Sequence, residues 1–287
     1  MKNDKCLLLQ NEAIDGHLLD YLSEVGDVFA VFDKQDSGCV SYGIECGGRN
    51  FFVKFAALPP AVGFLKQAIA FHHEARHPRI PKLLHAFRTG GGGLALVYEW
   101  VGGEVLHSPD FPGKEGRSRP ESPHYRFRRL PSGKIIAALN AVYETHVYLE
   151  SLGYVAVDFY DGCILYDFGR EALHLCDFDH YARGPFLLEA DRLFGSSRFM
   201  APEEFIRGSR IDRRTNVFTM GAAAFVFLGN DGSRDRGDWR GSDALYRVAS
   251  KAASPERDDR YDSVGEFYRE WLKAADLGED GERPASD

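Results

Sequence analysis

The chain has 287 residues, 44% of them hydrophobic and 27% charged, with a formal net charge of −8. Such a chain can bury a sizeable core as one large domain or two lobes, and its acidity argues against a general nucleic-acid binder, which needs a concentrated basic surface. No apolar run reaches the roughly 18 to 20 residues of a membrane-spanning helix, the most apolar stretch being Val217 to Leu228.

Residues 1–27 read as an N-terminal extension in which Leu18, Leu19 and Leu22 form a short apolar helical face. The run Cys6-Leu7-Leu8-Leu9 is too brief for a signal peptide, so the expected location is cytoplasmic. The five cysteines (Cys6, Cys39, Cys46, Cys163, Cys176) are an odd number without paired zinc spacing, and reduced thiols are expected. From Val28 the pattern turns extended: Val28 to Phe32, alternation at Val40, Tyr42 and Ile44, a Gly47-Gly48 turn, then Phe51 to Ala56. Turn residues between two β-rich runs predict a hairpin. A helix over about Ala61 to Ala75 follows and is ended by His77-Pro78. Extended runs at Leu83 to Phe87 and Leu94 to Trp100 flank a Gly90 to Gly93 turn. Residues 28–101 are thus expected to form a mostly antiparallel sheet carrying one helix.

After Gly102-Gly103 the character becomes helical, through residues 102–275. Ile135, Ala138, Leu139, Val142, His146 and Leu149 recur at the helical period and mark one long amphipathic helix that stops at Gly153. Val217 to Leu228 is apolar on every side, as in a helix buried at the centre of a lobe. Residues 107–134 read as a loop too long for an ordinary connection. It carries Arg117, Arg119, Arg126, Arg128, Arg129 and Lys134 among His124, Tyr125 and Phe127. It is either a solvated loop with a few anchoring aromatics or a docking surface for an acidic partner. Residues 276–287 read as a polar tail. The fold class is α+β.

Four short frames stand in order along this pattern: Phe52-Val53-Lys54-Phe55-Ala56, Val155-Ala156-Val157-Asp158, Leu175-Cys176-Asp177-Phe178-Asp179 and Arg198-Phe199-Met200-Ala201-Pro202-Glu203. Together they resemble the protein kinase family, whose phosphate lysine, catalytic aspartate, metal aspartate and Ala-Pro-Glu element follow in this order. The resemblance implies a bilobal fold, with a small antiparallel β-rich N-lobe carrying one helix, a larger mainly helical C-lobe, and the ligand in the cleft between them. It implies ATP and Mg²⁺ as cofactors. Lys54 would neutralise the phosphates, Asp158 would accept or orient the proton of the substrate hydroxyl, and Asp177 would bind Mg²⁺ as a hard oxygen ligand. Gly38 and Val40 would cover the nucleotide, backbone groups of Glu99 and Val101 would bond the adenine edge behind a bulky Tyr98, and Glu104 would reach a ribose hydroxyl. Glu203 would pair with Arg260 or Arg257, and Asn216 would open the central helix.

The chain also departs from the family. Ala156 and Val157 replace the His and Arg before the catalytic aspartate, Tyr160 replaces a Lys, and Cys163 stands where a second metal-binding Asn is expected. A thiol is a poor partner for Mg²⁺, so Asp161 is the candidate to supply the missing oxygen, unless one metal suffices. Asp33 and Gln35 occupy two of the three glycine positions of the phosphate-covering loop. Ala68 stands where the family's helix places the glutamate that pairs the lysine, leaving Glu74 as a distant candidate. Asp179, replacing a glycine, reads as a metal neighbour or as a stiffener of its turn. The function expected is an ATP-dependent phosphotransferase acting on Ser or Thr hydroxyls of a protein. A pseudokinase scaffold and a kinase-like phosphotransferase acting on a small-molecule hydroxyl are the alternatives, with neither nucleic acid nor membrane as partner.

Overall fold

The computed structural model describes residues 6–34 and 37–280, so the expectations placed on Gln35 and on the last seven residues of the polar tail lie outside the described residues. The chain is α+β, with a mixed sheet and eight α-helices among the described residues. It divides into two units: Met1–Gly102 with Cys176–Asp179, and Gly103–Leu175 with His180–Asp287.

The first unit contains β1 (Ala13–Ile14), α1 (Leu18–Val25), β2 (Asp27–Phe32), β3 (Cys39–Cys46), β4 (Arg49–Ala56), α2 (Ala61–Glu74), β5 (Leu83–Thr89) and β6 (Leu94–Glu99). They form one sheet in the order β1-β5-β6-β4-β3-β2, antiparallel except where β1 runs parallel to β5. The expected hairpin is β3–β4, and both Gly47 (φ 59°) and Gly48 (φ 75°) take the left-handed conformation that a two-residue turn requires.

Strand alternation sends successive side chains to opposite faces, and each face has its own cover. Phe51, Val53, Ala95 and Val97 pack with Tyr42, Ile44, Leu18, Leu22 and Leu8. On the other face Ala56, Leu94, Leu96 and Tyr98 pack with Ala61, Leu65 and Ala68 of α2. The described part of residues 1–27 is therefore one layer of this unit. Leu18 and Leu22 are buried there, whereas Leu19, expected on the same face, is 44% exposed. A disulfide joins Cys6 to Cys46, with Cα atoms 5.7 Å apart, and corrects the expectation of five reduced thiols. An odd count of cysteines cannot reveal which two a fold brings together.

The second unit is mainly helical: β7 (Glu104–Val105), α3 (Gly113–Arg117), α4 (Pro123–Arg128), α5 (Ser132–Ser151), β8 (Tyr154–Val155), β9 (Ile164–Asp167), β10 (Ala172–Leu175), β11 (Ala182–Arg183), β12 (Phe186–Leu187), β13 (Arg210–Ile211), α6 (Arg213–Leu228), α7 (Asp243–Ala252) and α8 (Val264–Asp280). The predicted face of α5, from Ile135 to Leu149, is buried at all six positions. Every residue of α6 from Thr215 to Leu228 is buried. Asp212 starts α6 by accepting the Arg214 amide hydrogen bond at 2.9 Å. Gly221 lets α7 approach closely, since a Cβ there would sit 2.8 Å from that of Ala252. Two expectations fail. Residues 107–134 are not a loop but hold α3, α4 and the start of α5, and α8 carries helix to Asp280 where a polar tail was expected. No helix of the described residues is long and apolar enough to cross a membrane.

Candidate functional site

Lys54 lies in the middle of β4, opposite Ser41 of β3 and Leu96 of β6. Directly opposed residues share a face, so Lys54 projects to the side covered by α2. It is 8% exposed, and an ammonium buried that deeply needs its charge compensated in place. Its Nζ donates to Oδ1 of Asp177 at 2.7 Å and to Oδ2 of Asp179 at 2.5 Å. Burial works against the charged form, but the two carboxylates outweigh it and hold the Lys54 pKa well above the ordinary lysine value. Ser41, buried on the same face, has a hydroxyl with no hydrogen-bond partner among the described residues.

The segment that delivers the carboxylates is fixed by aromatic packing. Phe178 stacks on Phe71 of α2, with centroids 4.5 Å apart and planes at 12°, and meets the His72 ring nearly at right angles, with centroids 5.9 Å apart. Burial lowers the His72 pKa to about 4 and leaves the imidazole neutral at this contact. Burial likewise pushes the Cys176 thiol up to about 12, which makes it an inert part of the packing. Asp177 itself has a φ of 62°, a left-handed conformation rare for a residue with a side chain and concentrated at functional sites.

The lysine's second anion therefore does not come from the helix. Ala68 is fully buried among Leu65, Ala56 and Leu96, and the Lys54 ion pairs go to Asp177 and Asp179 rather than to Glu74. Asp179, expected as a metal neighbour or a stiffener of its turn, is instead a direct partner of Lys54. Its signal was present in Asp177-Phe178-Asp179, but nothing local distinguishes a metal neighbour from a lysine partner.

The positions expected to cover a nucleotide divide. Gly38 has a φ of 73°, a left-handed turn entering β3. Val40 is a correction: it pairs with Phe55 and packs against the cluster of Tyr42, Val53 and Ala95, on the face opposite Lys54. A one-residue change of register moves a side chain through the sheet, and the two neighbours of Val40 that share the face of Lys54 are Cys39 and Ser41. Tyr98 is buried near the end of β6 against Phe52 and His72. Glu99 spends its backbone N–H on the Lys82 carbonyl and its Oε1 on the Lys82 amide, both at 3.0 Å. Val101 follows half-buried.

In the second unit Asp158 sits in the loop between β8 and β9 with a φ of 64°. Asn216, at the first turn of α6, anchors the approach to this loop. Its Oδ1 accepts from the Ala156 amide at 2.8 Å and its Nδ2 donates to the Tyr154 carbonyl at 3.1 Å. Cys163 is buried and its thiol donates to the Asp158 carbonyl at 3.4 Å, so it braces the loop from within. Nε2 of His180 lies 3.8 Å from Oδ2 of Asp158.

Asp161 is a second correction. It is fully buried, with Nη2 of Arg198 at 2.7 and 2.9 Å from its two oxygens and Nδ1 of His124 at 2.9 Å. Although burial alone would raise its pKa, the close His124 ring and the Arg198 charge lower it to about 2. These oxygens are committed to a structural cluster that Asp231 completes through Arg198, Arg117 and His124. Among the described residues no three His, Cys, Asp or Glu side chains converge as a ready-made metal site.

Glu104 forms an ion pair with Arg126, which also covers the Phe168 ring. Other cations of residues 107–134 are similarly used within the unit. Arg117 binds Asp231, Arg128 donates to the Gly229 carbonyl, and Lys134 pairs with Glu171. Glu203 accepts from both expected arginines, Arg260 at 2.7 and 2.9 Å and Arg257 at 2.6 Å. No protein-family model and no curated protein sequence matches the chain.

Proposed function

We propose that this chain is an ATP- and Mg²⁺-dependent phosphotransferase with a bilobal protein kinase-like fold, acting on Ser or Thr hydroxyls of a protein. The observation that carries this reading is the buried Lys54 ammonium 2.7 Å from the Asp177 carboxylate. Phosphoryl transfer asks for positioning and charge neutralisation more than covalent chemistry, and a fixed cation beside a partly exposed hard-oxygen ligand suits both needs. Lys54 would neutralise the phosphates. Asp177, whose side chain is 35% exposed, is the oxygen ligand that fits Mg²⁺. The metal's contribution would be to draw charge from the phosphate oxygens. Asp158, on a loop anchored by Asn216, would take or orient the proton of the acceptor hydroxyl.

The Cys163 thiol, in place of a second oxygen ligand, favours a different reading: a nucleotide-binding pseudokinase that works through its surface. Incubation with γ-labelled ATP and Mg²⁺, comparing wild type with Asp158→Ala and Asp177→Ala, tests catalysis. Label on protein that falls at least ~100-fold in both variants is the expected result. Equal label in all three overturns it, and an ATP-dependent thermal shift without transfer supports the pseudokinase. Label entering only a low-mass fraction assigns a small-molecule acceptor.

A further inference from the structure

Two carboxylates share the Lys54 ammonium, and they are not equivalent. The Asp179 side chain is 7% exposed and that of Asp177 is 35% exposed. A carboxylate sealed beside a buried ammonium has no solvent to replace its partner, whereas one at the surface can exchange that partner for water or a cation at small cost. The helix over this face offers no substitute anion. Its single carboxylate, Glu74, is at the last position of α2, and Ala61, Leu65 and Ala68 pack toward the sheet. The aromatic stack of Phe178 on Phe71 holds the backbone between the two aspartates in place.

We propose that Asp179 is the resident anchor of Lys54 and Asp177 the exchangeable one. A divalent cation would then be received at Asp177 while the ammonium stays in position, held by the 176–179 segment rather than by a carboxylate on α2. This inference rests on the nucleotide-and-cation reading above. Asp179 is in that reading a positioning residue: it acts on the phosphates only through Lys54, and the lysine keeps its place whether or not Asp177 is engaged.

The ammonium resonance of ¹⁵N-labelled Lys54 in the full chain reports the pairing directly, with Mg²⁺ alone and Mg²⁺ with ATP as probes. The resonance is expected to survive saturating Mg²⁺ and to survive Asp177→Asn, to be lost or displaced in Asp179→Asn, and to return in Asp179→Glu. Asp179→Asn is expected to lower the melting temperature by at least about 5 °C, and Asp177→Asn by less than half as much. In the transfer assay, turnover per folded molecule is expected to fall ~10-fold or more in Asp179→Asn and to recover in Asp179→Glu. Loss of the resonance in Asp177→Asn overturns the proposal, as does its persistence in Asp179→Asn. If Asp179→Asn does not fold, Asp177→Asn alone decides in the same way. If wild type neither binds Mg²⁺ with ATP nor transfers phosphate, the phosphotransferase reading falls, and the resonance and melting comparisons still decide whether Asp179 anchors the lysine.

Discussion

Lys54 and Asp179 form an ion pair 2.5 Å long in which both side chains are more than nine-tenths buried. Removing one member of such a pair strands the other, while replacing both with apolar groups removes the desolvation cost as well. Lys54→Met is therefore expected to destabilise the first unit by ~3–5 kcal/mol. Lys54→Met combined with Asp179→Leu should regain most of that stability without regaining the proposed nucleotide binding. Hydrogen exchange at the amides of β4 and β6, read beside an ATP titration, measures both effects.

Asn216 is expected to matter to the proposed phosphoryl transfer without touching a reactant. Asn216→Ala removes the partners of the Ala156 amide and the Tyr154 carbonyl and frees the approach to Asp158. Phosphoryl transfer should fall ~10-fold or more while nucleotide affinity is retained. Kinetics together with faster exchange of the Ala156 amide would register the change; unaltered kinetics with a freed amide would remove Asn216 from the positioning scheme.

Glu204 gives the chain a stability that declines with pH. It is 3% exposed and accepts from the Ala201 amide at 2.6 Å, and burial raises its pKa to about 8. The folded state thus holds this proton more tightly than the unfolded state, so the stabilisation is complete below the ordinary value of 4.5 and is lost as pH rises toward 8. Glu204→Gln should flatten denaturation midpoints over this interval, leaving the slope from Glu150, whose burial raises its pKa to about 7. An unchanged slope in the variant would show that Glu204 does not carry it.

Arg198 should resist conservative replacement. It contacts both oxygens of the fully buried Asp161 and reaches Asp231 through Nη1 at 2.9 Å. An ammonium cannot reproduce that fork, so Arg198→Lys is expected to cost at least half of the ~3–5 kcal/mol lost in Arg198→Ala. Urea denaturation of the two variants against wild type supplies the comparison.

The N-terminal layer should contribute to the stability of the sheet. Leu22 is fully buried against it, and Leu22→Ala is expected to cost ~2–5 kcal/mol. Replacing Cys6 and Cys46 with serine should cost a further ~2–4 kcal/mol under oxidising conditions and little under reducing ones. Melting curves with and without reductant separate the two effects.

Local pattern sufficed for most of the first unit's strands and for the long helices, though not for α3 and α4. The alternation at Val40, Tyr42 and Ile44 and the helical spacing from Ile135 to Leu149 are properties of neighbouring residues, so the strand and helix they form were legible, as was the order of Lys54, Asp158 and Asp177 along the chain. The tertiary structure decided which carboxylates meet the lysine, which face Val40 occupies, and that Asp161 belongs to a buried ion cluster. The reason is physical: Lys54 and Asp179 are 125 positions apart, and Asp161 and Arg198 are 37 apart, so their encounter depends on how the backbone returns rather than on any nearby residue. A register difference of one residue, invisible in composition and nearly invisible in periodicity, then selects the face of the sheet on which each side chain acts.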